Sequence, residues 1–388
     1  MVIVDLLYAS WIKAPNGAST FVSMLNDKQK YFKENDINIT IFSNDMLTPR
    51  SFDNKEDIKK KNSFRGCVFK IASKNLLLTI FLFYYLNSHS RRLIKKYCHL
   101  QRKTDILFFQ EVFTCYYFIK YCKHRDSKIM LIKHDNGEDF KMLYYRYPKL
   151  NSKLGHLFLN HYIKKTYSEI SKFLFVSENS MHTFLNNHGD VPQYKCEFVY
   201  NGIAELNSQE FQKDNNSIKL VCVGTISDRK NQKMILEALS GLPNNLQKKY
   251  SLLLIGDGEG KDKLLELSKS LKSKIEFIGT STEVESYLRE ASAFILVSKD
   301  EGLPISIIEA MRASLPIIST NIAGIPEMVI NEKTGFLINL SLEELINVLK
   351  KIPTCDLNQM GRYSYELYQE KFTLDKMISK YVNIFKNI

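Results

Sequence analysis

Short apolar runs alternate with longer segments of helical periodicity along the whole chain. In the first half the runs lie at 2–8, 37–42, 66–71, 105–109, 129–133 and 173–176. In the second half they lie at 219–223, 251–255, 275–278, 293–297 and 316–319. Such short, largely apolar runs bounded by polar residues or glycine are typical of strands buried on both faces of a parallel sheet. The segments between them fit the helices of βαβ units.

The two series of runs are separated by a polar stretch at 207–217, which lacks apolar periodicity and is predicted to be a linker. The chain is therefore predicted to form two doubly wound α/β domains with a cleft between them. Ligands of such domains bind outside the carboxyl ends of the strands. Polar residues that directly follow the predicted strands are thus the candidates for a functional site.

Charge is distributed unevenly between the two halves. The 388 residues carry a net charge of +12, of which residues 1–200 contribute +13 and residues 51–103 alone +10. The composition, 44% hydrophobic and 25% charged, excludes a disordered or fibrous chain. We expect the basic stretch to face an anionic surface such as a membrane. A nucleic-acid-binding protein is an alternative, but no nucleic-acid-binding module is recognisable, so no nucleic acid partner is expected.

The longest apolar stretch, 76–86, is too short to span a membrane. Four basic residues at helical spacing follow it: Arg91, Arg92, Lys95 and Lys96. This pattern predicts a core-facing helix or, alternatively, an amphipathic surface helix, and both hold if one face is buried. The first residues resemble a buried strand and lack the features of a signal peptide.

Seven cysteines occur at irregular spacings and without a C-x-x-C pair. They are interpreted as free thiols in a reducing cytoplasm. The predicted location is therefore cytoplasmic, with the basic region allowing peripheral attachment to the inner face of the plasma membrane.

Two turns that follow predicted strands could hold phosphate. The small-residue turn at 14–19 opens a helix predicted over 21–33, where free backbone N–H groups suit an anion, although a plain βα turn explains it equally. Arg229 and Lys230 stand at the start of another helix, predicted over 232–239. Cations are disfavoured at that end unless an anion is bound, the alternative being a surface arrangement without function.

The segment after the run at 293–297 carries the clearest signal. Glu301 lies in a glycine-containing loop, and Glu309 follows eight residues later within a helix predicted to open near Pro304. The helix dipole accounts for Glu301 but not for Glu309, which interrupts an apolar run. A buried and unpaired carboxylate is costly, and ribose or sugar hydroxyls would satisfy it.

These residues resemble the E-x(7)-E motif of the family-4 retaining glycosyltransferases. Further segments resemble the same family in the right order, at 199–203, 223–231, 254–258, 277–279, 322–327 and 334–336. Over residues 1–198 only the Asn16-Gly17 turn and the segment 133–137 are recognisable. The resemblance implies the GT-B fold, with two Rossmann-like domains facing a central cleft: an acceptor-side domain at 1–203 and a nucleotide-sugar donor domain at 204–370. A C-terminal helix at 371–388 would cross back to the first domain.

The activity implied by the resemblance is retaining transfer of a hexose or N-acetylhexosamine from a nucleotide-diphosphate sugar, with UDP favoured. The acceptor would be lipid-linked or a polysaccharide, and the basic stretch 51–103 would then face an anionic membrane or a lipid-diphosphate-linked glycan. The abundance of Lys, Asn and Ile indicates an AT-rich bacterial genome and hence the synthesis of cell-envelope glycans, such as lipopolysaccharide or capsule. Another GT-B enzyme, a nucleotide-sugar epimerase or a phosphorylase, is the alternative.

The resemblance also implies roles for individual residues. Arg229 and Lys230 would hold the donor diphosphate and neutralise the leaving group in place of a metal, and no Asp-x-Asp occurs in the chain, so no metal cofactor is expected. Glu309 would bind the ribose. Glu301 would bind hydroxyls of the transferred sugar and position its anomeric carbon. His134 would contact that sugar near the reacting centre, the alternative being a surface histidine.

The remaining predicted donor-binding residues act mainly through their backbone. Gly17 would let its loop approach the diphosphate, and Ile278 would line the base pocket beside Gly279. Thr225 stands where many family members have arginine. This departure leaves open how the diphosphate-binding role is divided between Arg229 and Lys230. The segment that would support the sugar and phosphate comprises Gly302, Leu303, Pro304 and Ile305.

Overall fold

The structure is a computed structural model that describes residues 1–12, 14, 17–47, 75–122, 126–206 and 217–388. The predicted strand at 66–71, the first part of the basic stretch and nearly all of the predicted linker lie outside these residues. The described chain divides into two compact units. The first comprises Met1–Val199 with Ile378–Ile388, and the second comprises Tyr200–Met377.

The first unit contains a parallel sheet of six strands in the order β2-β1-β3-β4-β5-β6. The strands are β1 (Val2–Tyr8), β2 (Ile37–Ser43), β3 (Ile106–Phe109), β4 (Lys128–Lys133), β5 (Lys172–Phe175) and β6 (Cys196–Phe198). Five of them match predicted runs to within a residue at each end. Sequence analysis missed β6, because its three residues form no apolar run long enough to stand out.

The helices of the first unit connect these strands. They are α1 (Gly17–Asp27), α2 (Gln29–Glu34), α3 (Leu76–Leu86), α4 (Ser88–His99), α5 (Val112–Tyr121), α6 (Lys141–Arg146), α7 (Lys153–Tyr167) and α8 (Glu178–Asn187). The prediction of a single helix over 21–33 is wrong. Two helices occupy this region, and the helical conformation is interrupted at Lys28. Asn26 and Asp27 are weak helix formers, which favours an end at that point.

The second unit contains another parallel sheet of six strands, in the order β12-β11-β10-β7-β8-β9. Its strands are β7 (Ile218–Val223), β8 (Tyr250–Ile255), β9 (Lys274–Gly279), β10 (Ala293–Leu296), β11 (Ile317–Thr320) and β12 (Gly335–Ile338). The helices are α9 (Gln232–Ser240), α10 (Asn244–Gln247), α11 (Lys261–Ser268), α12 (Val284–Arg289), α13 (Ile305–Arg312), α14 (Leu342–Lys351) and α15 (Leu357–Lys371). The prediction of two doubly wound α/β domains is confirmed.

The last helix, α16 (Leu374–Asn387), provides the C-terminal residues of the first unit. Its aromatic side chains pack into the core of that unit. Tyr381 lies 5.7 Å from Phe21 and 5.9 Å from Phe108 between ring centroids. Phe385 lies 6.1 Å from Phe32. Burial of these rings stabilises the association of the C-terminal residues with the first sheet.

The expectation that all cysteines are free thiols is wrong for one pair. Cys98 at the end of α4 and Cys122 just after α5 form a disulfide, with their Cα atoms 5.8 Å apart. The packing of α4 against α5 brings the two residues together although they are 24 positions apart in sequence. A spacing of that kind has no recognisable motif. Cys115, Cys196 and Cys222 are buried free thiols, as expected.

Helix α3 faces the core on one side only, so the prediction of a core-facing helix holds for one face and leaves the other exposed. Thr79 and Phe83 are buried, but Leu77 is 76% and Phe81 68% exposed. Because its hydrophobic residues surround the helix on all sides, burial of one face leaves apolar side chains on the other. Among the described residues, no helix has both the length and the apolar character needed to cross a membrane.

Candidate active site

The strand order of the second sheet identifies where a ligand would bind. Strands β7 and β10 are neighbours, and the sheet continues through β8 and β9 on one side and through β11 and β12 on the other. The chain therefore reverses its winding direction between β7 and β10. In doubly wound sheets the crevice at the carboxyl ends of such a strand pair is the usual binding site. The loops at 224–231 and 297–304 both leave the sheet there.

A compact cluster of charged side chains joins these two loops. The Lys230 ammonium lies 2.7 Å from Oε1 of Glu301, and Nη1 of Arg229 lies 3.2 Å from the same oxygen. Ser298 donates a hydrogen bond to that oxygen at 2.7 Å. Arg229 also donates to the carbonyl oxygen of Asp300 at 2.6 Å. The anion that offsets the two cations is thus provided by the protein itself.

Sequence reasoning missed the ion pairs of this cluster. It placed Arg229 and Lys230 at a helix start that would need a bound anion, and it assigned Glu301 to a sugar. The two segments are about 70 residues apart in the chain, so only the adjacency of β7 and β10 reveals the contact.

The electrostatics of the cluster leave it cationic. Glu301 is 5% exposed, and this burial raises the pKa of its carboxyl group. The charges of Lys230 and Arg229 outweigh burial and hold that pKa below its ordinary value. With Glu301 ionised, two cations face one anion, so the cluster has a net charge of +1. A surplus positive charge in a buried site is suited to stabilising phosphate.

The loop after β7 is held in place by the backbone and by one glutamine. Gln232 donates to the carbonyl oxygen of Thr225 at 3.0 Å and accepts from the amide of Ser227 at 3.3 Å. Gly256, after β8, has a φ of +139°, and a Cβ atom there would lie 2.1 Å from the carbonyl oxygen of Gly224. No other residue would fit this approach without moving the loop. The side chain of Thr225 is exposed.

Glu309 lies on α13 and is partly buried. Among the described residues, none forms a hydrogen bond or ion pair with its carboxyl group. Burial raises the pKa of Glu309 to about 7, with an opposing effect of Arg312 and a small further rise from Glu285. Arg312 forms an ion pair with Glu285, in which Nη2 of Arg312 lies 2.6 Å from Oε2 of Glu285. A carboxyl group in this state is available to accept hydrogen bonds from a ligand.

The backbone before α13 is anchored by contacts that sequence analysis did not predict. Gly302 accepts a hydrogen bond from the amide of Gly324 at 3.1 Å. The carbonyl oxygen of Leu303 accepts from the side chain of Asn201 at 3.2 Å. Pro304 is the N-cap residue and Ile305 begins the helix, as the sequence predicted to within one residue. Ile278 lies in β9, whose final residue Gly279 pairs with Gly256.

Two predicted site residues lie in the first unit. Gly17 is exposed and begins α1, while Asn16 before it lies outside the described residues. His134 directly follows β4 and is partly buried, with its ring 5.1 Å from that of Phe21. Burial lowers the pKa of His134 to about 4, so its imidazole is neutral at physiological pH.

The remaining residues of the first-unit segment 133–137 have structural partners. Lys133 lies 2.6 Å from Asp139 and 3.4 Å from Asp135. Gly137 has a φ of +88°, and a Cβ atom there would lie 2.1 Å from the carbonyl oxygen of Ser180. These residues fix the loop that carries His134.

Comparison with known proteins shows what the chain is similar to. Residues 204–366 match the family model described as "Glycosyl transferases group 1". The O-antigen biosynthesis glycosyltransferase WclY of Escherichia coli is 24% identical over 260 residues, which cover 64% of this chain and 69% of that protein. An Escherichia coli UDP-Gal:alpha-D-GlcNAc-diphosphoundecaprenol alpha-1,3-galactosyltransferase is 30% identical over 177 residues, covering 44% of this chain and 46% of that protein.

A solved structure extends the similarity in fold to the full length. The crystal structure of Anabaena HepE in complex with UDP covers 100% of both chains with a TM-score of 0.70 at 14% sequence identity. The similarities do not support the alternatives of an epimerase, a phosphorylase or a nucleic-acid-binding protein. The chain is a glycosyltransferase with the GT-B fold, and its second unit carries the domain of the group 1 glycosyl transferases.

Proposed function

We propose that the protein is a retaining, metal-independent glycosyltransferase. It transfers a hexose or N-acetylhexosamine from a UDP-sugar to a lipid-linked or polysaccharide acceptor. The observation that carries this proposal is the cationic cluster of Arg229, Lys230 and Glu301 at the switch point of the second sheet. The names of its relatives support synthesis of cell-envelope glycan as the process.

The donor would be held by complementary groups on neighbouring elements. Arg229 and Lys230 bind the diphosphate and stabilise the charge that develops on it as the sugar leaves. Glu309 accepts hydrogen bonds from the ribose hydroxyls, because its carboxyl group has no partner in the described protein. Glu301 accepts from hydroxyls of the sugar while its other oxygen stays paired with Lys230.

The reaction would proceed on one face of the sugar. The bond between the anomeric carbon and the phosphate oxygen breaks, and the acceptor oxygen bonds to the same face of that carbon. The acceptor proton passes to the leaving phosphate oxygen, so a protein nucleophile is not required. In this scheme the protein contributes orientation and charge stabilisation.

A nucleotide-sugar screen tests the proposed function. We expect a UDP-sugar to raise the melting temperature in the presence of EDTA, and a ligand at 100 times its Kd to stabilise the protein by about 2.7 kcal/mol. Slow release of UDP without a carbohydrate acceptor should accompany binding. NMR of the product formed with an acceptor should show that the anomeric configuration of the donor is kept.

Each outcome of the screen bears on a separate part of the proposal. An inverted product contradicts retention, and activity that is lost in EDTA and restored by Mg²⁺ or Mn²⁺ contradicts metal independence. The absence of any thermal shift with the whole set of nucleotide sugars contradicts the donor site.

The first unit is proposed to bind the acceptor and to contact an anionic membrane through α3 and α4. Leu77, Phe81 and Tyr84 lie on one exposed face of α3, and Arg92 and Lys95 are exposed on α4. Amphipathic surfaces of this kind bind anionic lipid through apolar burial together with electrostatic attraction. A lipid-linked acceptor would then be met at the membrane surface. Residues 51–74 of the basic stretch lie outside the described residues, and the exposed basic side chains of α4 belong to its described part.

Vesicle co-sedimentation tests the membrane contact. We expect more binding to vesicles that contain anionic lipid than to neutral ones, and less at high salt. Phe81→Asp should reduce binding about tenfold, because burying a large apolar side chain is worth about 1.5–3 kcal/mol. Leu265→Asp is the matched control, since Leu265 is an exposed apolar residue on helix α11 of the second unit. Equal binding to anionic and neutral vesicles would exclude this role.

The proposed location is the cytoplasmic face of the plasma membrane, where nucleotide sugars are available. The cysteines do not support this location, because the Cys98–Cys122 disulfide is atypical of a reducing compartment.

A further inference from the structure

The first sheet has its own switch point, and an unassigned glutamine lies there. Strands β1 and β3 are neighbours, with β2 beyond β1 and β4 beyond β3. Gln110 directly follows β3, and His134 directly follows the adjacent strand β4. Both side chains therefore stand at the edge of the first sheet where a ligand is expected.

Gln110 and His134 form a specific contact. Nε2 of His134 lies 2.9 Å from Oε1 of Gln110. Gln110 is only 6% exposed, and its amide nitrogen has no hydrogen-bond partner among the described residues. A buried amide without a partner costs free energy, so a site that keeps one indicates a ligand or water that accepts from it.

The contact determines the protonation pattern of the imidazole. An amide oxygen can only accept, so Nε2 of the neutral His134 must carry the proton and donate a hydrogen bond to Gln110. Nδ1 then holds a lone pair, and no described residue donates to it. The ring is oriented by Phe21, which packs against it edge-on.

Charged neighbours do not disturb this pattern. Lys133 and Asp135, on either side of His134 in the chain, lie 3.4 Å apart and pair with each other. Glu111, next to Gln110, accepts a hydrogen bond from Thr114 at 2.9 Å, and burial raises the pKa of its carboxyl group. Burial is the cause of the low pKa of His134.

We propose that Gln110 is a positioning residue that holds His134 as the Nε2–H tautomer, so that Nδ1 accepts a hydrogen bond from a hydroxyl of a carbohydrate ligand bound at this edge of the first sheet. The inference rests on the proposed function for the identity of the ligand. The amide nitrogen of Gln110 donates to a ligand oxygen in the same region. Together the two residues present one acceptor and one donor, which is the combination that recognises carbohydrate hydroxyls.

¹⁵N NMR of histidine-labelled protein tests the tautomer directly, without requiring activity. The resonances of His134 are assigned by their loss in His134→Gln. In the wild type we expect the Nε2–H tautomer and a titration midpoint of about 4. A predominant Nδ1–H tautomer in the wild type would overturn the proposal even if every Gln110 variant failed to fold.

Two variants extend the test to catalysis. Gln110→Met should abolish the tautomer preference and lower kcat about tenfold, as expected for one hydrogen bond in a buried site. Gln110→Glu should raise the titration midpoint of His134 by more than one unit and produce a new acidic limb in the pH profile of kcat. Gln247→Met is the matched control, because Gln247 is also 6% exposed but belongs to the second unit.

The outcomes separate this inference from the proposed function. Unchanged NMR spectra of His134 in both Gln110 variants overturn the positioning role whatever the activity. The NMR spectra can also confirm the tautomer while no UDP-sugar, with or without acceptor, shifts the resonances of His134. That result overturns the ligand assignment and leaves the tautomer established.

Discussion

Replacing Lys230 by methionine is expected to lower kcat/KM for sugar transfer by about 10³-fold, because the leaving diphosphate loses a positive charge fixed in a buried site. Methionine retains most of the side-chain volume, so packing beside Glu301 is preserved. The variant should fold but melt at a lower temperature, since Arg229 alone then offsets the Glu301 carboxylate. Steady-state kinetics with a UDP-sugar and a melting curve measure the two effects.

Two further variants separate catalysis from stability. In the double variant Lys230→Met with Glu301→Gln, the melting temperature should recover while activity stays low, because the buried charge is removed as well. Lys233→Met is the matched control: Lys233 lies three residues after Lys230, in helix α9, and pairs with Glu237 at the surface. Wild-type kinetics of Lys230→Met would contradict the assignment of the diphosphate site.

Replacing Glu309 by glutamine is expected to lower kcat/KM by about 100-fold and to weaken UDP binding. A carboxylate accepts hydrogen bonds from both ribose hydroxyls, whereas an amide offers only one acceptor oxygen. The wild-type enzyme should bind UDP less tightly below pH 7, because the pKa of Glu309 in the free protein is about 7. Titration calorimetry with UDP measures this dependence, over a range from about pH 5.5 to about pH 8.5 that includes the pKa of Glu309.

The same substitution should stabilise the free protein at alkaline pH. The folded state holds the Glu309 proton up to about pH 7, whereas the unfolded chain releases it near 4.5. Stability therefore falls as pH rises through this window, by up to about 3 kcal/mol. Glu309→Gln should remove that loss, so its melting temperature exceeds that of the wild type at pH 8 but not at pH 4.5.

Glu366→Gln is the control for both effects of the Glu309 substitution. Glu366 is exposed on α15 of the same unit. It should change neither the kinetics nor the pH dependence of melting. Equal melting of Glu309→Gln and the wild type across the whole pH range would show that this carboxyl group is not desolvated in the free protein.

The fold could be predicted in large part because burial on both faces gives a parallel strand a recognisable sequence. Ten described strands follow continuous apolar runs. The two that were missed lack this pattern: β6 is three residues long, and β12 begins at Gly335. The helix at 76–86 was recognised from its composition, but the extent of its exposure was not, since an all-round apolar helix has no periodicity to show which face is buried.

Candidate site residues could be identified where they lie in the segment that follows a strand. Glu301, Arg229 and His134 became candidates in this way, because parallel strands place their carboxyl ends at one edge. Gln110 follows β3 in the same manner, yet a lone glutamine has no charge or motif that would draw notice. The disulfide between Cys98 and Cys122 was unpredictable for a related reason, since its spacing is set only by helix packing.

The sequence by itself determined the α/β class, the two series of strands and the residue types available for phosphate and hydroxyl recognition, because these depend on local pattern. Only the tertiary structure decided which of those residues meet. The adjacency of β7 and β10 joins Lys230 to Glu301, and that of β3 and β4 joins Gln110 to His134. Such contacts depend on strand order, which follows from how the whole sheet buries its apolar surface rather than from any local segment.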